Sequence, residues 1–130
     1  MPGTIHMKKI TLNLARTKEF PEGSIRHGYE FIAPLDDKGH VDAQSWHNHR
    51  NSCVVHRFWG NEPRMRGMLV HRAGGVHGAT WIFDYDNAKD NDDEAGYRLG
   101  DHALVVGEYV SIHDAEGHMH TFKVVSVEPA

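Results

Sequence analysis

Cysteine is almost missing from this chain: Cys53 is the only one in 130 residues, so no internal disulfide framework can hold the fold together. Long apolar runs are missing too. Nothing approaches the length of a secretory signal or a membrane span, which predicts a cytoplasmic, non-membrane protein. Charge of one sign is scarce in sum: the net value is −4 with neutral histidines, and charged residues make up 25% beside 39% hydrophobic ones. That balance is ordinary for globular proteins and indicates neither a strong polyanion binder nor a disordered tail. Gly74-Gly75 and the scattered glycines form neither a phosphate-binding loop nor a dinucleotide fingerprint. No nucleophile with a base and a structural elbow stands out, so the sequence assigns no catalytic activity. Internal repeats and low-complexity tracts are absent.

What the chain does have is enough length for one domain, residues 1–130, with a real core that needs no structural metal. Residues 1–7 lack periodicity and read as a flexible extension. Histidine is abundant: twelve residues, whose full protonation would move the net charge from −4 to +8. With ordinary imidazole values of about 6.5, much of that change would fall between about pH 5 and 8. The fixed charges are uneven. Residues 46–77 balance at +4 through Arg50, Arg57, Arg64, Arg66 and Arg72 against Glu62, and residues 78–101 balance at −5.

Periodicity reads mostly as strands. Ile10, Leu12 and Leu14 alternate within 8–16, and 28–33 carries aromatic and β-branched residues before Pro34. Asp42 is placed to cap a short helix over 43–50. From Cys53 to Trp59 alternation sets Val54, His56 and Phe58 on one face and Cys53, Val55, Arg57 and Trp59 on the other. Residues 65–72, 80–86 and 103–106 are further strand candidates. A final hairpin runs from Glu108 through the turn Asp114-Ala115-Glu116-Gly117 to Val127. These spacings predict a mainly β fold: a small antiparallel barrel or strongly coiled sheet of about six to seven strands with one short helix near 43–50.

Several residues could carry chemistry. Cys53 lies within six residues of His47, His49 and His56, and His118 and His120 lie on the final strand at a spacing that puts both rings on one face. Thiolate and imidazole suit zinc, so these six residues form the candidate metal set. The plain alternative makes Cys53 a small buried hydrophobe and the hairpin histidines solvent-facing. The acidic run from Asp84 to Glu94 fails the EF-hand pattern: Lys89 or Ala95 stands where the loop wants Gly, and Ala95 or Asp101 replaces its closing Glu. It reads as an exposed loop kept soluble by charge. Arg57, Trp59, Arg64 and Arg66 combine basic and aromatic side chains, the mixture that single-stranded nucleic acid would contact. The competing reading makes the arginines partners of the acidic loop.

The strings Arg26-His27-Gly28-Tyr29-Glu30-Phe31, Pro34-Leu35-Asp36, Arg57-Phe58-Trp59, Leu69-Val70-His71-Arg72 and Gly107-Glu108-Tyr109-Val110-Ser111-Ile112 resemble a group of small single-domain bacterial proteins of unknown function. The resemblance spans nearly the whole chain after Met7 and implies a bacterial single-domain protein, with no activity, cofactor or site residues attached. Together these readings predict a β-barrel binding or interaction module for a protein or small-molecule partner. Exposed strand edges or an apolar patch would allow a homodimer. A His/Cys transition-metal protein is the alternative, ahead of a nucleic-acid module.

Overall fold

A computed structural model describes residues 4–72, 81–85, 94–97, 99, 103–114 and 118–130. Strand β1 (His6–Leu14) leads through a loop to β2 (Ser24–Leu35), then a turn to helix α1 (Ala43–His49) and a single 3₁₀ turn (Arg50–Ser52). Six more strands follow: β3 (Val54–Trp59), β4 (Met65–His71), β5 (Trp81–Tyr85), β6 (Glu94–Tyr97), β7 (Tyr109–His113) and β8 (Met119–Pro129). Each pairs antiparallel with the next, and β8 returns to β1, closing an antiparallel barrel.

The alternation in the sequence becomes inside and outside. Ile10, Leu12 and Leu14 of β1, Tyr29 and Phe31 of β2, Val110 and Ile112 of β7 and Phe122 and Val124 of β8 are all buried. Tyr29 lies 5.1 Å from Phe83 and 5.0 Å from Phe122, ring centre to ring centre, so aromatic side chains fill the interior. Burying each such side chain is worth roughly 1.5–3 kcal/mol. Glycine is needed at position 28 of β2, because a Cβ there would collide with the Leu12 carbonyl of β1.

Two irregularities shape one end. Asn13 pairs with Gly28 but Leu14 pairs with Ser24, so Ile25, Arg26 and His27 bulge out of the β1–β2 ladder. On the other side of β1, Thr11 pairs with Ser126 and Leu12 with Val124, which leaves Val125 as an extra residue.

The other end is stoppered by α1. Asp42 accepts a hydrogen bond from Ser45 N–H at 2.9 Å, the cap the sequence predicts, worth about 1 kcal/mol. Before it, Asp36 Oδ1 accepts from the N–H groups of Lys38 and His40. Those bonds, His40 first, hold the Asp36 carboxyl below its ordinary value. Trp46 then enters the barrel end and donates its indole N–H to the Leu69 carbonyl at 2.8 Å.

The structure differs from the sequence reading in four places. Strand β1 begins at His6 with Met7 packed on the core, so residues 6 and 7 belong to the barrel rather than to the expected extension; 1–3 lie outside the described residues. Strand β2 continues through Pro34 to Leu35. The proline is tolerated because β3 pairs only with residues 27–31, leaving no ladder bond on that side for Pro34 to donate. Glu94–Tyr97, at the end of the expected acidic loop, is a strand, which brings the count among the described residues to eight; 86–93 lie outside those residues. The candidate strand 103–106 is irregular and ends in a turn: Leu104 is buried, its N–H bonded to the Gly39 carbonyl, while Val105 and Val106 are exposed. No helix among the described residues is long and apolar enough to cross a membrane.

Candidate functional site

Trp59 ends β3 on its inward face, opposite His27 in the β2–β3 register, at the barrel end away from α1. Alternation carries Cys53 and Val55 into the core and Arg57 and Trp59 to this rim. The indole is ringed by neighbours: His27 edge-on at 4.8 Å, His120 at 5.9 Å and Phe122 at 6.3 Å. The Arg57 guanidinium sits 4.6 Å over the Trp59 ring and 3.7 Å from Glu62, so the cation is held over the indole by an acid behind it.

His27 owes its place to the bulge. Ser24 Oγ lies 2.6 Å from His27 Nδ1 and accepts the Arg26 N–H at 3.2 Å. Phe20 packs on the other side of the imidazole, 4.7 Å away. A tight turn brings Phe20 there: its N–H donates to Thr17 Oγ1, and its carbonyl accepts from Thr17 N–H and Gly23 N–H. At Gly60 φ is +58°, and a Cβ would come 3.3 Å from His27 Nε2, so glycine serves both the backbone and the space beside that nitrogen.

His120 is set by the final hairpin. Its Nε2 lies 3.0 Å from Asp114 Oδ2, while Asp114 Oδ1 accepts the His118 N–H at 2.9 Å. His118 Nδ1 is 3.7 Å from the same carboxylate but largely exposed. A carboxylate only accepts hydrogen bonds, so His120 carries its proton on Nε2 when neutral and presents the Nδ1 lone pair.

These groups enclose a cavity of about 330 Å³, lined by Leu14, Lys18, Phe20, His27, Trp59 and His120 together with Thr17 and Glu19. A larger groove of about 710 Å³ runs along the bulge past Ile25, Tyr109 and Val125. Its apolar residues lie largely in solvent, Ile25 80% and Tyr109 53% exposed, and it has no aromatic pair comparable to Phe20 and Trp59 among its described lining residues.

The candidate metal ligands do not assemble. His47 and His49 are exposed on α1, and the His49 ring bonds the Ser45 carbonyl. Cys53 is fully buried, its thiol directed at the His49 carbonyl at 3.5 Å, and loss of solvent pushes it up to about 11. His56 lies on the outer face of β3 with Val54 and Phe58. His118 and His120 do come together, around Asp114. Among the described residues no set of three or more His, Cys, Asp or Glu side chains is arranged to hold a metal ion.

The four candidate nucleic-acid contacts divide between surfaces. Arg57 and Trp59 belong to the barrel mouth. Arg64 lies outside, 3.5 Å from Glu30 and 5.8 Å from the Phe58 ring, and Arg66 pairs across the outer face with His56. Among the described residues Glu62 lies beside Arg57 and Glu30 beside Arg64, while most of the acidic segment, 86–93, lies outside the described residues.

Sequence reasoning missed His27, Phe20, Ser24 and Asp114. Asp114 registered only as turn chemistry, although an acid ahead of a His-x-His pair was the available signal. For His27 no local pattern existed, since its partners arrive through the bulge and through β3. No family model matches this chain, and no curated protein or solved structure matches it.

Proposed function

We propose that this is a binding module that takes a small organic ligand in the mouth of its barrel, between the 15–23 loop and the rim of β2, β3 and β8. The carrying observation is the lining of the 330 Å³ cavity: aromatic faces from Phe20 and Trp59 with two imidazoles, each backed by its own polar partner. That size and mixture, mostly apolar walls with a few oriented polar groups, is what small-molecule sites use. The rim carries one cation and one anion, Lys18 and Glu19, so a flat ligand with a single ionised group meets a partner of opposite charge there. The resemblance to small bacterial proteins and the lone thiol fit a bacterial cytoplasm. A zinc site or a nucleic-acid surface is less well supported, because the ligands disperse and the arginines lie on different faces with acids beside them.

The test is an NMR screen of flat aromatic acids against ¹⁵N-labelled protein. Shifts should concentrate on Phe20, His27, Trp59 and His120 and vanish in Trp59→Ala. Shifts confined to Ile25, Tyr109 and Val125 would move the site to the outer groove, and no shifts with any acid in the screen would sink the proposal.

A further inference from the structure

The mouth cavity takes its Lys and Glu charges from adjacent residues, Lys18 and Glu19, and from this we infer that its ligand is a zwitterion, an α-amino acid with one flat ring. The inference rests on the ligand-binding reading above and names the class of ligand.

The chain sets both charges on one short bend. Thr17 N–H donates to the Phe20 carbonyl at 2.9 Å, and Phe20 N–H donates back to Thr17 Oγ1 at 2.9 Å, so the backbone on either side of Lys18 and Glu19 is tied together. Phe20 closes the bend and packs 4.7 Å from the His27 ring, centre to centre. The segment that supplies the two charges therefore supplies the aromatic wall beside them. Both charged residues are exposed, and among the described residues neither enters an ion pair or a side-chain hydrogen bond. The histidines of the mouth, in contrast, are already engaged, His27 with Ser24 and His120 with Asp114. One uncommitted cation and one uncommitted anion thus stand over the recess.

Neighbouring residues hold their Cα atoms about 3.8 Å apart, so the two charges reach the cavity from one side. A ligand matches them when its own opposite charges sit on a single carbon. The carboxylate of an α-amino acid then accepts from the Lys18 ammonium while its ammonium donates to the Glu19 carboxylate, giving two charge-assisted hydrogen bonds. A ligand with one ionised group leaves the other side chain unmatched. The rest of the lining selects the ligand's side chain: Phe20 and Trp59 favour an aromatic ring. At about 330 Å³ the cavity lies at the low end of small-molecule sites, roughly 300–1,000 Å³, which suits one ring better than two. Phenylalanine meets each of these conditions.

The experiment titrates the ¹⁵N-labelled full chain with phenylalanine and with two analogues that keep one charge each, phenylpropionate and phenethylamine. Phenylalanine should shift Phe20, His27, Trp59 and His120 and bind about fivefold to tenfold more tightly than either analogue, the size of effect a charge-assisted contact at an exposed rim supplies. Lys18→Gln should weaken phenylalanine and phenylpropionate by about that factor and spare phenethylamine. Glu19→Gln should weaken phenylalanine and phenethylamine and spare phenylpropionate. Leucine, a zwitterion without a ring, should bind several-fold more weakly than phenylalanine. Mouth shifts with equal affinity for phenylalanine and phenylpropionate would overturn the zwitterion and leave the binding module standing, and so would charge variants that weaken all three compounds alike or none of them. Leucine binding as tightly as phenylalanine would overturn the flat ring. No mouth shifts with phenylalanine or either analogue would overturn the inference, and the binding module falls with it only if the wider acid screen is silent too.

Discussion

Each end of the barrel places a tryptophan among histidines, and the two ends behave differently. At the α1 end Trp46 lies 5.8 Å from Trp81 and 5.9 Å from His71, its indole N–H is satisfied by the Leu69 carbonyl, and it is only 9% exposed. At the other end Trp59 is half-buried, and no indole bond to the protein forms among the described residues. Its histidine neighbours are bonded to Ser24 and Asp114, and together with Phe20 and other residues of the 15–23 loop they line a cavity. The same residue types build a plug at one end and a lined recess at the other. The difference comes from the cover: a capped helix delivers Trp46 into the first, while a bulge and a loop leave room in the second.

That contrast can be broken first by truncation. Trp46→Ala should cost about 3–5 kcal/mol, as emptying a packed site does, whereas Trp59→Ala should cost only ~1–2 kcal/mol, both read from urea midpoints at constant m. Equal losses would mean the mouth is as much core as the plug. A second probe sharpens the comparison at the plug. With its thiol pushed up to about 11 and fully buried, Cys53 should resist alkylation at pH 8 in the folded protein and react at the rate of global unfolding in mild denaturant. Rapid labelling of native protein would show that the α1 end opens locally.

The smallest effect concerns the turn that delivers α1. Asp36 has a folded value below its ordinary one, so the unfolded chain binds its proton more readily. Its contribution is complete above the unfolded value of 3.8 and is lost as pH falls through the lower folded value. Asp36→Asn should therefore flatten the fall in stability below about pH 4 and change little near neutrality, measured by thermal melts across that range. An unchanged acid slope would show that the turn contributes nothing to the acid response.

Much of the scaffold was legible because period-two patterns survive folding unchanged: Ile10, Leu12 and Leu14 face inward as written, and Asp42 caps α1 as its position suggests. Strand β6 was not, because Glu94 follows an acidic run and Ala95-Gly96 are weak strand formers held by β5 and β7. The 103–106 segment misled in the other direction, since its apolar residues serve Leu104 alone. Within the site, His120 is legible as one of a His-x-His pair, but the sequence offers it a metal or solvent as partner, whereas the fold gives it Asp114.

The sequence by itself determined the strand-rich class, the inward and outward faces, the capped helix and the absence of a disulfide, because each depends on neighbours a few residues apart. Tertiary structure alone decided that His27, Trp59 and His120, drawn from three strands, would share one recess. It also decided that Cys53 would be sealed away from the histidines beside it in sequence. Barrel closure and a three-residue bulge set those distances, and neither leaves a local periodicity to read.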